Sequence, residues 1–366
     1  MRAPLLVLLC AAACGAAGAQ TADEAGLRGS LTVNAHAVAS GGQSREGTIL
    51  EQLELGWSGD VAPGWRANVS VVQASGPSLS ARAVGDVQGV QGAFTGGDAV
   101  YLQDLNLTRE FANGSVTFGR LSSGGAFGTV GTMDLLVNSA FSSNGGWISV
   151  NTPGRLPEPY ASWGATGEYR PTSAITARGG VFLSDPERAS PDRPRDLSFQ
   201  PEDGVLGFAE AAYRPSDGVE LGAGAWADSA RFDTFAGAVE RGSWGAYVWT
   251  AGRLIGPAEG RRLEGFAMLQ AAPRRDRALV PWSGVAGLTL FEPVAGRTAD
   301  TLTIGLSSGR FNSRSGLSGW ETTLEAAYGL AINEHVTLRP DVQYVFNPGG
   351  LFRDALVVGV QVEAGF

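Results

Sequence analysis

Charged, amide and aromatic side chains that could bind hydroxyl groups recur between positions 82 and 147. Ionised and amide groups form strong hydrogen bonds to hydroxyls, and an indole ring offers a flat face to apolar C–H groups. The residues that we take as a candidate substrate-binding constriction are Arg82, Asp86, Gln88, Asp104, Arg120 and Trp147. The alternative is structural, with arginines and carboxylates forming a ladder that holds loops to the protein wall.

The residues needed for catalysis and metal binding are scarce. The chain has two histidines, His36 and His335, and neither lies in a recognisable motif with a serine or aspartate partner. Both cysteines, Cys10 and Cys14, lie near the N-terminus within the predicted export signal. The sequence therefore predicts no enzyme, no cofactor and no metal site, and we expect His36 to be a polar wall residue.

The first 19 residues have the features of an export signal. They carry one positive charge, Arg2, then an apolar segment, and Ala17-Gly18-Ala19 fits an A-x-A cleavage site. The formal charge of the whole chain is −9, and every cation is arginine. We expect a mature domain at 20–366 that is exported and does not bind nucleic acid, because an acidic protein repels the phosphate backbone.

The mature sequence alternates in the manner of membrane-spanning β-strands. In the last segment, Leu356, Val358 and Phe366 share one face with other apolar residues, whereas Gln361 and Glu363 share the other. Similar segments of about ten residues recur along the chain. This pattern predicts an all-β fold, a transmembrane antiparallel up-and-down barrel with lipid outside and a polar lumen inside.

The connections between these segments alternate between short and long. The long ones cover residues 75–98, 122–160, 184–203, 229–242 and 311–318. An exported chain that starts and ends in the periplasm needs an even number of strands, so we assign the weakest of seventeen candidates, 231–242, to an outer loop. The prediction is about sixteen strands, with the long loops 75–98 and 122–160 folding into the lumen; the second is apolar enough to pack against the wall.

Several stretches carry a specific resemblance to a known family. They are GDVQGV (85–90), YLQDLNLTREFANGSVTFGRLSSGGAFG (101–128), NSAF (138–141), GVFLSDPER (180–188), GVLGFAEAAYRPSDGVELGAGAW (204–226) and much of 324–366. Together they resemble the OprB-type carbohydrate-selective porins. The resemblance implies a sixteen-stranded outer-membrane channel for passive diffusion of sugars, glucose above all, into the periplasm of a Gram-negative bacterium.

Other functions and partners stay open at this point. A general unselective porin for small solutes is the first alternative, an outer-membrane hydrolase the second, and an adhesin or purely structural barrel the third. The resemblance implies that the terminal strand, ending in Phe366, is read by the barrel-assembly machinery. We expect contact with outer-membrane lipid, a monomer or a homotrimer, and structural cross-strand pairs of Glu325 and Asp341 with Arg339.

Overall fold

The computed structural model describes residues 26–92, 98–142, 146–152, 161–184, 197–201 and 203–365. These residues form sixteen strands, which are β1 (Gly26–Gly42), β2 (Gly47–Ala62), β3 (Trp65–Ser75), β4 (Ala99–Phe111), β5 (Gly114–Leu121), β6 (Ser162–Thr172), β7 (Ile175–Leu183), β8 (Val205–Ser216), β9 (Val219–Asp233), β10 (Val239–Ile255), β11 (Arg262–Ala271), β12 (Trp282–Phe291), β13 (Thr301–Arg310), β14 (Trp320–Ala331), β15 (Val336–Phe346) and β16 (Arg353–Gly365). Short helical turns lie at Ser80–Val84, Met133–Leu135, Ser139–Phe141, Trp147–Val150 and Pro348–Gly350. Among the described residues, no helix is both long and apolar enough to cross a membrane.

The sixteen strands close into one barrel. Each strand pairs antiparallel with its neighbours in sequence, and β1 pairs with β16 through register positions such as Val33 opposite Val362. Closure leaves no sheet edge with unpaired backbone groups, which a membrane requires because lipid cannot satisfy them. The predicted fold class and strand number are confirmed.

The two faces of the wall differ as the alternation predicts. On β16, Val358 is 43% exposed on the outward face, whereas Val357 beside it is fully buried inside. On β14, Trp320 and Leu324 face outward while Glu321 and Glu325 are buried on the inner face. Apolar residues therefore face the lipid and polar ones the interior. The aromatic end of β16, Phe366, lies outside the described residues.

The segment 231–242 differs from the prediction. It forms the end of β9 and the start of β10, with Phe232 opposite Glu240, and the loop between the strands is only 234–238. Thr234 closes this turn, because its backbone N–H donates to the Ala238 carbonyl and its hydroxyl accepts from the Ala238 N–H. The assignment of 231–242 to a loop was wrong. The strands β9 and β10 pair with each other beyond the points where their pairing with β8 and β11 ends.

The connections at the two ends of the barrel differ in length. At one end the strands are joined by turns as short as two residues, as between Ala62 and Trp65, where Gly64 has a positive φ of 68° that a side chain would strain. At the other end the connections β3–β4, β5–β6 and β7–β8 run from 76 to 98, 122 to 161 and 184 to 204. This asymmetry places the short turns in the periplasm and the long loops outside.

Candidate functional site

The loop residues 122–142 and 146–152, which we call the loop segment 122–152, pack against the inside of the barrel wall through apolar contacts. Phe127 stacks on Phe208 of β8 with ring centroids 4.9 Å apart and meets Phe182 of β7 edge-on. Further along, Trp147 covers Gly309 of β13, where an added Cβ would lie 2.6 Å from the indole. The glycine makes room for the ring. We call the inner faces of β8–β13 with this segment the packed half of the lumen.

Two buried glutamates of the wall hold this segment by its backbone. Glu325 accepts hydrogen bonds from the backbone N–H groups of Val137 at 2.6 Å and Asn138 at 3.0 Å. On the other side, Glu210 accepts from the N–H of Gly128 at 3.0 Å. Hydrogen bonds to an ionised acceptor are stronger than neutral ones, so these carboxylates fix the path of the loop across the lumen.

The first long loop is fixed in the same way. Glu321 at the outer end of β14 accepts from the backbone N–H groups of Val87, Gln88 and Gly349, and so joins two loops. Beside it, Asp86 accepts from the N–H of Gly89. Burial away from water raises the pKa of the Asp86 carboxyl above its ordinary value. We call Glu210, Glu321 and Glu325 the loop clamps.

The inner faces of β1–β7 are polar, and we call them the open half. Their side chains bond to one another across strands: the Arg28 guanidinium donates to Asn68 at 2.8 Å, and the Ser70 hydroxyl donates to Asp104 at 2.7 Å. The inward polar residues of this half include Arg28, Glu54, Asn68, Ser70, Asp104, Asn106, Thr108, Thr117, Thr166, Glu168 and Arg178. They present donors and acceptors to any solute in the lumen.

A cavity of about 310 Å³ lies where the two halves meet. Its lining comes from the loop on one side and from β5–β8 on the other, and consists of Ser115, Gly125, Ala126, Phe127, Thr129, Thr166, Gly167, Glu168, Arg178 and Glu210. Phe127 adds an apolar surface, whereas the hydroxyls and charges can hydrogen-bond. The cavity therefore has an apolar surface for the C–H face of a hydroxylated ring and hydrogen-bonding groups for its hydroxyls.

Arg178 is the central charge of this cavity. Its Nε donates to Glu168 Oε2 at 2.8 Å and its Nη1 to Glu210 Oε1 at 3.0 Å, while the side chain stays 29% exposed. Tyr247 donates its hydroxyl to the other Glu210 oxygen at 2.9 Å. A guanidinium has five N–H donors, so after these two bonds others remain to bind a solute. The two carboxylates hold the guanidinium in one orientation.

The three predicted residues of the first loop lie near its outer anchor. Arg82 is 56% exposed and forms a loose ion pair with Glu46 at 3.7 Å on the outer surface. Asp86 is half-buried in the loop with one carboxyl oxygen enclosed, and the backbone N–H of Gln88 donates to the clamp Glu321. The structure therefore brings Asp86 and Gln88 together as loop anchors, and leaves Arg82 at the rim.

The other three predicted residues lie apart from one another. Asp104 faces the lumen in the open half, as expected. Arg120 is opposite Leu105, an outward-facing residue, and its Nε donates to the carbonyl of Leu102 at 2.7 Å. Trp147 is 1% exposed and donates from Nε1 to the Ser307 hydroxyl at 2.8 Å. The indole is thus a loop anchor and offers no open face to a solute.

Glu168 and Arg178 were missed by the sequence reasoning. The signal that could have found them is their pairing: β6 and β7 form a tight hairpin, and the register places the two side chains directly opposite each other on the inner face. Opposite charges at such positions attract each other across a sheet. Glu210, which holds Arg178 from β8, was likewise not among the predicted site residues.

The predicted ion pairs of β14 and β15 are different in the structure. Asp341 accepts from His36 at 2.7 Å, and Arg339 pairs with Glu363 at 3.1 Å and donates to Gln361. Both pairs join β15 to strands on its β16 side, whereas Glu325 lies on the other side, on β14. The Glu325 carboxylate instead accepts hydrogen bonds from the loop backbone. The expectation of pairs between Arg339 and either Glu325 or Asp341 was wrong, whereas His36 is a wall residue as predicted.

Comparison with known proteins decides which family this barrel represents. A family model described as carbohydrate-selective porin, OprB family, matches residues 46–366. The chain belongs to the OprB family. Membership identifies this OprB-family porin as a carbohydrate channel of the outer membrane. No curated protein matches the sequence significantly.

Solved porin structures share the fold. Pseudomonas putida OprB at high pH superposes with a TM-score of 0.84 at 19% identity, covering 93% of this chain and 94% of that one. The low-pH structure of the same protein gives 0.61 at 17% identity, covering 93% and 92%. Salmonella typhi OmpF in complex with daunomycin gives 0.62 at 12% identity, covering 93% and 97%. The chain therefore has the complete porin barrel.

Proposed function

We propose that monosaccharides such as glucose diffuse through the gap between the loop segment 122–152 and the open half, with Arg178 as the main hydroxyl-binding residue. The observation that supports this most directly is the cavity where the two halves meet, with a guanidinium held between Glu168 and Glu210. Sugar hydroxyls would exchange hydrogen bonds with these groups while the ring passes Phe127. Weak, multiple contacts allow both entry and release.

The other candidate residues have narrower roles in this proposal. Asp104 contributes negative charge to the open half, whereas Asp86, Gln88 and Trp147 hold the loops that set the gap. Arg82 and Arg120 lie away from the cavity. A channel rather than an enzyme fits the family and the fold.

The remaining expectations belong to the same proposal. Residues 1–19 would direct export, and Phe366 with the rest of β16 would be recognised during barrel assembly. Both segments lie outside the described residues, apart from β16 up to Gly365. The barrel would work as a monomer or as a homotrimer, and each barrel has its own cavity in either case.

Liposome swelling with glucose, a disaccharide and an amino acid of similar size to glucose tests the proposal. We expect glucose to enter faster than its size alone allows, and to reduce ion conductance in planar bilayers in a saturable way. Rates that follow size alone would instead support a general unselective porin. Hydrolysis of an ester or peptide substrate by the wild type would support the enzyme alternative.

Substitutions of Arg178, with a control at Arg82, test the proposed binding residue. Arg178→Gln should abolish the saturable glucose block, and Arg178→Lys should restore part of it, because lysine keeps the charge but loses the fork of donors. Arg82→Gln removes the same charge at the outer rim and should leave the block unchanged. Equal block in all of these variants would exclude Arg178 as the binding residue.

A further inference from the structure

The inner wall of the open half holds an arginine and an aspartate in one register row. Arg28 on β1 is opposite Gly56 on β2. The row continues through Ser70 on β3 to Asp104 on β4. The Arg28 guanidinium lies over Gly56, where an added Cβ would be 3.0 Å from its Cζ. Because glycine has no side chain, the cation can lie over β2, on the side of the row that faces the aspartate.

A β-bulge in β4 brings two polar acceptors together at this row. The register of β4 shifts between Leu102 and Asp104, so Gln103 is the extra residue of the bulge. Gln103 is only 4% exposed, and its Oε1 accepts no hydrogen bond from the described residues. The Asp104 carboxylate is held by the Ser70 hydroxyl at 2.7 Å and the Asn106 amide at 3.1 Å. The bulge thus places an amide oxygen that can still accept next to an ordered carboxylate.

Carboxylates outnumber arginines on this wall. Its charged side chains, counted over the inner faces of β1–β4 with the turn residue Asp60, are Arg28, Glu54, Asp60, Arg66, Asp104 and Glu110. Arg66 pairs with Asp60, and within the described part of the chain neither Asp104 nor Glu54 forms an ion pair. Glu54 interacts electrostatically with both Arg28 and Asp104. The row therefore combines an excess of negative charge with a single fixed guanidinium.

We propose that this row is a second binding site and that it takes amino sugars, which carry an ammonium group on a hydroxylated ring. The ammonium would donate to Asp104 and to the amide oxygen of Gln103. Ring hydroxyls would accept from Arg28, which keeps further N–H donors after its bond to Asn68. The two ends of the site are one to two strand spacings apart, about 5–10 Å, a span that suits one sugar ring. A metal ion suits the row less, because the guanidinium repels it.

Block of the ion current through single channels in planar bilayers tests this second site. The inference rests on the proposed passage of sugars, but its residues differ from those of the glucose site at Arg178. The probes are glucosamine, N-acetylglucosamine, which lacks the charge, and cyclohexylammonium, which lacks the hydroxyls. In the Arg178→Gln channel, glucosamine should still block, whereas glucose and N-acetylglucosamine should not.

Substitutions at the two ends of the row should have different effects. Asp104→Asn should raise the half-blocking concentrations of glucosamine and cyclohexylammonium about tenfold, the loss of one charge-assisted contact. Arg28→Gln should raise that of glucosamine alone, because cyclohexylammonium has no hydroxyl for Arg28 to bind. Glu110→Gln is the matched control, since it removes the same charge from the inner face of β4 about 20 Å further along the strand. It should leave the glucosamine block at the wild-type value.

The heat-dependent shift in gel mobility will show that each variant has folded. An unchanged glucosamine block in Asp104→Asn would overturn the proposal, as would equal block of the Arg178→Gln channel by glucosamine and N-acetylglucosamine. An effect of Glu110→Gln as large as that of Asp104→Asn would also overturn it, because the general negative potential of the lumen would then attract the amine without a local site. A wild-type channel that glucosamine blocks through Asp104 and glucose does not block would support this site and count against the glucose site alone.

Discussion

The packed half and the open half of the lumen are built from the same kind of strand but differ in what covers them. On the inner faces of β8–β13, large residues such as Phe208 and Phe266 are buried against the loop segment 122–152. On β1–β7, Asp104 and Thr117 bond to side chains of neighbouring strands and stay half-buried. One half therefore resembles the core of a soluble protein, whereas the other is a hydrated surface.

This difference separates the tasks of the channel. The packed half narrows the lumen and fixes the loop, so a change there should alter pore size and stability together. The open half supplies the polar surface along which a solute moves, so a change there should alter selectivity with little effect on stability. Arg178 and Glu210 lie at the boundary, where the clamp and the proposed binding residue share an ion pair.

The largest effect is expected from the clamp that crosses the lumen. Glu325→Ala removes the acceptor of the buried N–H groups of Val137 and Asn138, at about 1–3 kcal/mol for each unsatisfied group. The loop should leave the wall, so single-channel conductance and the size limit for sugars should both rise. Glu46→Ala, at the exposed rim, is the matched control. Wild-type conductance in the Glu325 variant would show that this clamp does not set the pore.

A second prediction compares two residues of the same loop. Phe127→Ala removes a ring stacked between β7 and β8, and should lower stability by about 3–5 kcal/mol, the usual cost of emptying a core position. Thr129→Ala lies two residues further on, where the loop borders the cavity, and should cost far less. The measurement is the heat-dependent shift in gel mobility of the folded barrel. Similar transitions for both variants would contradict the division into halves.

A pair of glycines gives an intermediate effect. Gly309→Ala puts a methyl group 2.6 Å from the Trp147 ring, and overpacking of this kind costs about 1–3 kcal/mol. The loop should be displaced near Trp147, with a moderate rise in conductance. Gly179→Ala, on β7, has its nearest neighbour at 3.9 Å and should behave like the wild type. If Gly309→Ala had the same conductance and melting temperature as the control variant, the contact between Trp147 and Gly309 would not determine the position of the loop.

The barrel could be predicted because alternation is a local property of the chain. Val357 and Val358 show their opposite faces within two residues, and two chain ends on the same side of the membrane then require an even number of strands. The hairpin at 231–242 was misjudged because its strands extend beyond their neighbours, where the residues follow no lipid-facing pattern. Its extension depends on pairing between Phe232 and Glu240, which sequence alone does not reveal.

The site was harder to predict because it depends on contacts between distant parts of the chain. Trp147 was expected to present an open ring, but a glycine 162 positions later, Gly309, accommodates it against the wall. Arg120 was expected at the pore, but it is only 3% exposed at the outer end of β5, where its guanidinium donates to the Leu102 carbonyl on the neighbouring strand. Glu325 looked like one partner in a wall ion pair, and its carboxylate instead holds loop backbone.

The smallest effect on stability, together with a clear effect on ion selectivity, is expected from a substitution in the open half. Asp104→Asn keeps one acceptor oxygen for Asn106, and its amide N–H can donate to the Ser70 hydroxyl in place of the second oxygen, but the change removes a negative charge from the lumen. Stability should change by less than about 1 kcal/mol, the usual value of one exchanged hydrogen bond. The reversal potential in a salt gradient should shift towards weaker cation preference, because fixed charges along a pore select ions by sign.

Asp60→Asn is the matched control for this charge, since Asp60 is 72% exposed at a periplasmic turn outside the lumen. It should leave the reversal potential at the wild-type value. An unchanged potential in Asp104→Asn would mean that ions pass away from β4, and the solute path would then have to run closer to Arg178 than to Asp104. A loss of stability comparable with that of Phe127→Ala would instead show that the open half is as tightly packed as the other.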